Sequence, residues 1–333
     1  ISVISGETPI LKDSEHLFFR VKNYDPELRQ WLNSGALQPQ VENKLREWVD
    51  AGLKDWDISR DTPYFGFEIP DTPGKYFYVW LDAPIGYIAA SKNFFERENQ
   101  DFCRYWSEDH ASELFHFIGK DIINFHGLFW PAILRSSGLR LPTGIFVHGF
   151  LTVNGEKMSK SRGTFIKAST YLRHLDGDYL RYYFAAKLNS SIDDIDLNLQ
   201  DFVHRFNSDI VGKVVNIASR CAGFLERKFQ NIVIGPQRDN ELIIRFIAAN
   251  ESIVNLYEKR EFGKAVKIIV ALADQANQYI DQKKPWVLIK QSDSEQEVHA
   301  VCSLGINLFR ILMIYLQPIL PKTAERAGKF LNC

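Results

Sequence analysis

The sequence predicts a mixed α/β region followed by an all-α region. Short apolar runs typical of strands alternate with helical segments between residues 58 and 153, which indicates a parallel sheet with crossover helices. A lysine-rich loop at 155–165 follows the last of these runs. From Asp201 the apolar residues recur at helical spacing almost to the end of the sequence, which predicts a helix bundle.

The composition is that of a soluble globular enzyme. Of the 333 residues, 45% are hydrophobic and 24% are charged, with a net charge of −1, and this length favours two or three domains. We identify no apolar stretch of the roughly 18–20 residues that a membrane span needs and no signal-peptide pattern, so the expected location is the cytoplasm. The four cysteines form no C-x-x-C pair, which argues against a disulfide framework and against a cysteine zinc site in this chain.

The N-terminal part carries strand and helix patterns but no chemistry of its own. Alternating residues at 15–21 predict a strand, and apolar residues at helical spacing predict helices at 25–36 and 40–52. Two further strands are predicted at 64–69 and 75–81, joined by a turn rich in proline and glycine.

A predicted strand-to-helix junction is the first position suited to a ligand. The strand spans 113–119 and the helix spans 120–134, with a further strand at 144–153. Because open α/β sheets bind ligands outside the carboxyl ends of their strands, we expect Trp80, Asp121 and the lysine-rich loop to gather at one edge of the sheet.

Aromatic side chains recur near this predicted edge. The helix that follows the junction places Phe125, His126, Phe129 and Trp130 on one face. Simple packing of these side chains, and of Tyr87, in the core remains an alternative.

The loop GEKMSKSRGTF at 155–165 is suited to an anionic ligand. Lys157 and Lys160 supply mobile ammonium donors, and Ser159 and Ser161 add hydroxyl donors. The loop is not a P-loop, because the G-x-x-x-x-G-K-[ST] spacing is absent. A solvated basic turn is the alternative for a loop of this composition.

The region after the loop is predicted to be helical. A helix is expected from Ile166 to about Ser190, followed by an acidic loop or strand at 191–198. Four amphipathic helices are then predicted, at 202–221, 242–257, 262–280 and 301–316.

Several strings together carry a resemblance to a known family. They are WDISRD (56–61), KYFYVWLDAPIGY (75–87), FIGKDIINFHGLFWPAIL (117–134), GEKMSKSRGTFIKAS (155–169), DDIDLNLQDFVHRFN (193–207), VVNIASR (214–220) and KKPW (283–286). The KMSKS string by itself is typical of class I aminoacyl-tRNA synthetases. With the other strings, which extend over nearly the whole chain, the sequence resembles methionyl-tRNA synthetases of the bacterial type.

The resemblance implies a division into four regions. Residues 1–57 would be the C-terminal part of a connective insertion, and 58–153 would be the second half of a Rossmann-like catalytic domain. Residues 154–212 would hold the KMSKS loop and a stem-contact region, and 213–333 an anticodon-binding helix bundle.

The resemblance also implies an activity and its ligands. The family activates methionine with ATP to methionyl-adenylate and transfers it to tRNA(Met), including the initiator tRNA, with Mg²⁺ accompanying the ATP. Methionine would bind against Arg60, Trp80, Ala83, Pro84, Tyr87, Ile122, His126, Phe129 and Trp130. ATP would bind at Gly119, Asp121, His148, Leu151, Lys157, Met158, Ser159, Lys160 and Ser161.

Specific roles follow from the same resemblance. Lys157 and Lys160 would be catalytic, stabilising charge on the triphosphate as the methionine carboxylate attacks the α-phosphorus. The tRNA anticodon would contact Asn216, Arg220 and Trp286, with the tryptophan stacking on an unpaired base.

The sequence departs from the family pattern in one major respect. It contains no His-Ile-Gly-His-type motif; His116-Phe-Ile-Gly119 is a look-alike in the second half of the fold. The N-terminal aspartate that contacts the methionine amino group, the zinc-binding cysteines and a C-terminal dimerisation extension are also absent. We therefore expect these 333 residues to begin inside the connective insertion, to lack about the first third of the enzyme and to be catalytically incomplete alone.

Two other interpretations remain open at this point. The segment could act as an isolated tRNA anticodon-binding protein without catalysis. It could also be a class I relative that activates another amino acid, such as leucine or valine.

Overall fold

The computed structural model describes residues 6–8, 11, 13–109, 111–158, 165–236 and 239–332. They form two compact units, Ile1–His148 and Gly149–Cys333. The finer division of the sequence into four regions stays a prediction.

The first unit combines short strands with helices. Its strands are β1 (Phe18–Phe19), β2 (Trp56–Asp57), β3 (Ser59–Asp61), β4 (Lys75–Phe77), β5 (Phe115–Gly119) and β6 (Gly144–His148). Its α-helices are α1 (Asp25–Leu32), α2 (Pro39–Asp50), α3 (Val79–Asp82), α4 (Ile85–Arg97), α5 (Phe102–Trp106) and α6 (Trp130–Ser136). Two 3-10 turns, Val21–Tyr24 and Lys120–Ile122, and a π-helical turn, Phe125–Phe129, complete it.

The predicted parallel sheet is present in the first unit. β5 and β6 pair in parallel, with His116 opposite Ile145 and Gly119 opposite His148. Leu37 makes a further parallel bridge to Ile145. The helical segment between β5 and β6 supplies the crossover connection that parallel pairing requires.

Three predicted strands are shorter than expected or absent. The strand predicted at 15–21 is reduced to β1, and the segment 64–69 contributes only an isolated bridge of Glu68 to β4. The strand predicted at 75–81 ends with β4, because the next residues form the helical turn α3, which contains Trp80. The alternating pattern in this region is therefore not realised as continuous strand pairing, and Phe65 and Phe67 are exposed.

The predicted helix at 120–134 is irregular, and its irregularity is held in place by α1 and α2. It begins as a 3-10 turn, passes through the π-helical turn and continues as α6. Trp31 Nε1, from α1, donates to the carbonyl of Gly127 at 3.1 Å. A Cβ on Gly127 would lie 2.3 Å from Leu45 Cδ1, on α2, so any other residue there would displace the buried Leu45 side chain. Single π-helical turns of this kind are frequent at functional sites.

The second unit is mostly helical. Its strands are β7 (Leu151–Val153), β8 (Glu156–Lys157) and β9 (Ile195–Leu197). Its α-helices are α7 (Ala168–Leu172), α8 (Gly177–Lys187), α9 (Leu199–Phe206), α10 (Asn216–Phe229), α11 (Glu241–Glu258), α12 (Phe262–Lys283), α13 (Pro285–Leu288), α14 (Glu295–Leu316) and α15 (Pro321–Leu331). A long π-helical segment, Asn207–Val215, joins α9 to α10.

The four predicted amphipathic helices are confirmed, and α14 lies at their centre. It is long and apolar enough to cross a membrane by length and composition, which the sequence interpretation missed. However, 67% of its most apolar window is buried inside the protein. This composition is therefore explained by its place in the core of the bundle, where every residue from Val301 to Phe309 is buried.

The contact between α14 and α10 depends on a glycine. A Cβ on Gly305 would lie 2.5 Å from Cys221 Sγ and 3.4 Å from Ile280 Cδ1. We predict that Gly305→Ala lowers the free energy of unfolding by about 1–3 kcal/mol, because overpacking outweighs the better helix propensity of alanine. Urea denaturation followed by circular dichroism measures the change.

Gly223→Ala, in α10, is the matched control. Its Cβ would meet only the mobile end of Arg227, at 3.4 Å, so this variant should be as stable as the wild type or gain up to about 1 kcal/mol. Equal stability of the two variants would contradict the steric explanation.

Candidate functional site

A continuous wall of aromatic rings surrounds the π-helical turn of the first unit. Trp80, in α3, stacks on Phe125 with ring centroids 4.4 Å apart and planes 10° apart. Phe125 contacts Phe129 at 5.7 Å, and Phe129 stacks on Trp56 at 4.5 Å. The wall therefore offers an extended apolar, polarizable surface.

A hydrogen-bonded pair, Tyr87 and His126, adds polarity to this surface. His126 Nδ1 lies 3.2 Å from the carbonyl oxygen of Ile122, which only accepts, so Nδ1 carries the proton. Nε2 is then the acceptor, and the Tyr87 hydroxyl, 3.0 Å away, donates to it. Burial lowers the pKa of His126 and raises the pKa of Tyr87, so both groups are neutral near pH 7.

A second buried histidine supports the wall from behind. Trp130 Nε1 donates to His116 Nε2 at 3.2 Å, and the His116 ring lies 5.0 Å from the ring of Tyr87. His116 is only 7% exposed, and burial, together with the neighbouring His126, lowers its pKa to about 4. Its imidazole is therefore neutral, as the hydrogen bond from Trp130 requires.

Sequence reasoning missed the role of His116 and gave none to Phe125. His116 was considered only as part of a look-alike motif, although on β5 it shares the buried face with Ile118, while Phe115 and Phe117 between them are exposed. That two-residue period was the available signal for an inward-facing imidazole.

Arg60 contacts the aromatic wall at the ring of Tyr78. Its guanidinium carbon lies 4.1 Å from the centre of the Tyr78 ring, and Nη1 pairs with Asp57 Oδ2 at 3.0 Å. Tyr78 in turn packs edge-on against Trp56 at 6.2 Å. Arg60 thus holds a positive charge at one end of the aromatic wall.

The remaining two residues predicted to contact methionine lie where α4 begins. Pro84 is buried and immediately precedes α4, and Ala83 is exposed beside it.

The carboxyl edge of the parallel pair gathers three predicted residues. Gly119 and His148 end β5 and β6 and face each other in the register. Asp121 follows in the 3-10 turn, with Oδ1 2.7 Å from the position that a Cβ on Gly119 would take. A side chain at position 119 would therefore displace the Asp121 carboxylate.

In the second unit, a two-residue hairpin leads into the lysine-rich loop. Asn154 and Gly155 both have positive φ, 50° and 81°, and connect β7, which begins at Leu151, to β8. Asp196 Oδ1 accepts from Gly155 N and Thr152 Oγ1, both at 2.7 Å, and these hydrogen bonds lower the pKa of its carboxyl.

The hairpin delivers the first residues of the loop. Lys157 is exposed at the end of β8, and Met158 is partly buried. Ser159, Lys160 and Ser161 lie outside the described residues, so the predicted catalytic pair, Lys157 and Lys160, is described only at Lys157.

The three predicted anticodon residues do come together in the second unit. They belong to a polar strip, in which Lys213, Asn216 and Arg220 face Asp274, Asn277 and Asp281 of α12. Trp286 completes the group.

Side-chain contacts between the two helical segments hold the polar strip at three successive levels. Lys213 Nζ lies 2.8 Å from Asp274 Oδ2, and Asn216 Nδ2 donates to Asn277 Oδ1 at 3.1 Å. Arg220 pairs with Asp281 and lowers the pKa of that carboxyl.

Trp286 is brought to the strip by the end of α12. Lys284 has a positive φ of 45°, which turns the chain, and Pro285 then starts α13. The Trp286 ring is thereby placed with its centre 4.6 Å from the guanidinium carbon of Arg220. The sequence had predicted Arg220 and Trp286 separately; their stacking is a finding of the structure.

Comparison with known proteins matches both parts of the chain. Residues 1–222 match the family of class I tRNA synthetases (M), and residues 234–333 match the anticodon binding domain of methionyl tRNA ligase. The chain belongs to the methionyl-tRNA synthetase family. This membership confirms the α/β plus all-α fold class and removes the interpretation as a relative for leucine or valine.

Solved methionyl-tRNA synthetases share the fold. Two structures of the Mycobacterium tuberculosis enzyme with methionyl-adenylate match with a TM-score of 0.82 and 28% identity, over 97% of this chain and 64% of theirs. The apo form of that enzyme matches with a TM-score of 0.77 and 26% identity, over 93% of this chain and 61% of its own. The chain therefore spans less than two thirds of the length of these methionyl-tRNA synthetases.

In the part of the chain that the structure describes, no group of three or more histidine, cysteine, aspartate or glutamate side chains is arranged to hold a metal ion.

The buried His116 makes a pH dependence testable. The unfolded chain binds a proton at this position below about pH 6.5, whereas the folded protein does so only below about pH 4, so stability falls as the pH drops between these values. The full effect is roughly 3 kcal/mol. His116→Gln keeps an acceptor for Trp130 but does not titrate, so its unfolding free energy should fall less between pH 7 and pH 4.5.

Urea denaturation at several pH values measures this difference. His174→Gln, which replaces an exposed histidine and leaves His116 in place, is the control and should keep the wild-type pH dependence. Parallel curves for wild type and His116→Gln would show that the imidazole is not a depressed, neutral group.

Proposed function

We propose that this chain supplies the methionine pocket, part of the ATP site and the anticodon-binding helices of a cytoplasmic methionine–tRNA ligase. The enzyme activates methionine with ATP to methionyl-adenylate and transfers the methionyl group to initiator and elongator tRNA(Met). The observation that carries the proposal is the neutral Tyr87–His126 pair set in an aromatic wall.

This arrangement suits a methionine side chain. A thioether is apolar and polarizable and gains favourable contacts with aromatic rings, such as those of Trp80 and Phe125. Because Tyr87 and His126 are neutral, no charge faces an apolar ligand. A thioether sulfur only accepts, so in the proposal the Tyr87 hydroxyl turns its proton from His126 Nε2 to the sulfur, a contact that a methylene cannot make. Arg60, at the other end of the wall, supplies the charge that attracts the amino-acid carboxylate.

The edge of the parallel pair suits the nucleotide. In the proposal, Gly119 and Asp121 bind the ATP ribose, and His148 and Leu151 lie near the adenine. A glycine at position 119 is needed there because a side chain would displace the Asp121 carboxylate.

The lysine-rich loop supplies the charge stabilisation of the reaction. Lys157 and Lys160 stabilise negative charge on the triphosphate as the methionine carboxylate attacks the α-phosphorus and pyrophosphate leaves. Mg²⁺ enters with ATP as part of the substrate. We assign complete catalysis to the whole enzyme, since these 333 residues contain no His-Ile-Gly-His-type motif.

The polar strip suits the anticodon. Asn216 and Arg220 lie one helical turn apart and reach base edges together, while Trp286 offers a stacking surface worth about 1–3 kcal/mol per base. The match of residues 234–333 to the anticodon binding domain supports this assignment.

A second candidate function is anticodon binding without catalysis. It is favoured by the fact that the polar strip, its helices and their hydrophobic core all lie within the second unit. Methionine binding by the chain separates the two candidates.

The decisive experiment is calorimetric binding of methionine and of norleucine, which has a methylene in place of sulfur. The wild-type chain should prefer methionine, and Tyr87→Phe should lower methionine affinity by about ten-fold, the loss of one hydrogen-bonding group, while changing norleucine affinity little. Tyr279→Phe, in the second unit, is the matched control and should leave both affinities unchanged.

Three outcomes distinguish the candidates. Equal affinity for both amino acids in wild type and Tyr87→Phe would contradict the role of the Tyr87–His126 pair. Binding of tRNA(Met) that depends on the anticodon, without any methionine binding, would favour the second candidate. ATP–pyrophosphate exchange at an ordinary enzymatic rate would contradict the proposal that these residues alone are catalytically incomplete.

A further inference from the structure

Asn277, in the middle of the polar strip, has a side-chain amide whose direction is forced. Its Nδ2 lies 2.9 Å from the carbonyl oxygen of Lys213 and 2.9 Å from that of Ala273. A carbonyl oxygen only accepts, so the NH₂ group must face both, and its two hydrogens are used. The Oδ1 of Asn277 is then left as an acceptor directed at Asn216.

The orientation of the Asn277 amide also fixes the orientation of the Asn216 amide. Its Nδ2 lies 3.1 Å from Asn277 Oδ1, so Asn216 must turn its NH₂ group toward α12. Among the residues that the structure describes, neither the second N–H of the Asn216 side-chain amide nor its Oδ1 has a hydrogen-bond partner. An amide presents nearly the same shape after a 180° flip but exchanges donor for acceptor, so Asn277 converts an ambiguous group into one fixed pattern.

The neighbouring charge pairs keep the two amides in register. Lys213–Asp274 and Arg220–Asp281 flank the amide pair, one helical turn away on each side. The three positions on each helical segment are separated by three and then four residues. Each residue of one segment therefore pairs with the residue at the same height on the other segment. A shift of either helix would break all three contacts.

We propose that Asn277 is a positioning residue for anticodon selection, which fixes the amide of Asn216 so that it presents one donor–acceptor pattern to one anticodon base. The inference rests on the proposed function, because it requires Asn216 to contact the anticodon. Base edges in single-stranded loops are distinguished by such patterns, and a flipped amide would favour a different edge.

A double-mutant cycle tests the inference. The probes are short anticodon stem-loop RNAs, one with the methionine anticodon CAU and one for each single-base substitution of it, and the readout is the ratio of their Kd values. Asn277→Ala should reduce discrimination at one anticodon position by roughly five-fold or more and leave the other positions unchanged. In an Asn216→Ala background, the same change at Asn277 should have no further effect on discrimination.

The outcomes separate the inference from the function on which it rests. If Asn216→Ala binds and discriminates all loops as the wild type does, the proposed contact of Asn216 with the anticodon is wrong. If Asn216→Ala loses discrimination but Asn277→Ala keeps it, only the positioning role is wrong. A uniform loss of affinity for every loop, equal in both backgrounds, would make Asn277 a purely structural residue and would also overturn the inference.

Two further variants test whether the effect is specific to the Asn277–Asn216 contact. Gln278→Ala removes an exposed amide from the neighbouring position of α12 and should leave all ratios unchanged. Asn216→Asp places an acceptor against the Asn277 oxygen, so it should weaken binding of the CAU loop more in the wild-type background than together with Asn277→Ala. An equal effect in both backgrounds would mean that the Asn277 oxygen does not face Asn216.

Discussion

The hydrogen bond from His126 Nδ1 to the carbonyl of Ile122 determines which polar groups of the aromatic wall donate and which accept. It fixes the tautomer, which makes Nε2 an acceptor and Tyr87 its donor. Burial then keeps the imidazole neutral, because the hydration that a charged ring would lose outweighs the contribution of the Ile122 carbonyl, which by itself would raise the pKa. Burial also keeps the neighbouring His116 neutral, so its Nε2 accepts a hydrogen bond from Trp130.

The position of His126 depends in turn on residues that touch no ligand. The π-helical turn that carries it is held by the Trp31 indole and by the close approach of Leu45 to Gly127. α1 and α2, which the sequence predicted only as helices without a functional residue, thus hold the π-helical turn of the aromatic wall in place. In the proposed function, a methyl group at Gly127 would alter methionine selection without contacting methionine, since it would displace Leu45 or shift the turn that orients the imidazole.

Local patterns predicted the parts of the site that depend on neighbours in sequence. The strand-to-helix junction at Gly119 and the aromatic face from Phe125 to Trp130 were predictable because periodicity and strand ends report them directly. The π-helical turn was not predictable, because its cause lies some 80 or more residues earlier, in Leu45 and Trp31. Asn277 was likewise missed, since its partner is 61 residues away and an isolated asparagine in an amphipathic helix indicates only a polar face.

Both candidate sites use neutral groups whose direction is set by backbone carbonyls. Ile122 orients His126 in the first unit, and Lys213 and Ala273 orient Asn277 in the second. A carbonyl in a helix neither ionises nor rotates independently, so the donor and acceptor pattern that it imposes exists before any ligand binds. A pattern that is set in advance in this way reduces the reorganisation that binding requires, and it is lost when the helix carrying the carbonyl moves. In the proposed function, the rigid packing around Gly127 and along the polar strip would therefore contribute to recognition of the amino acid in one unit and of the anticodon in the other.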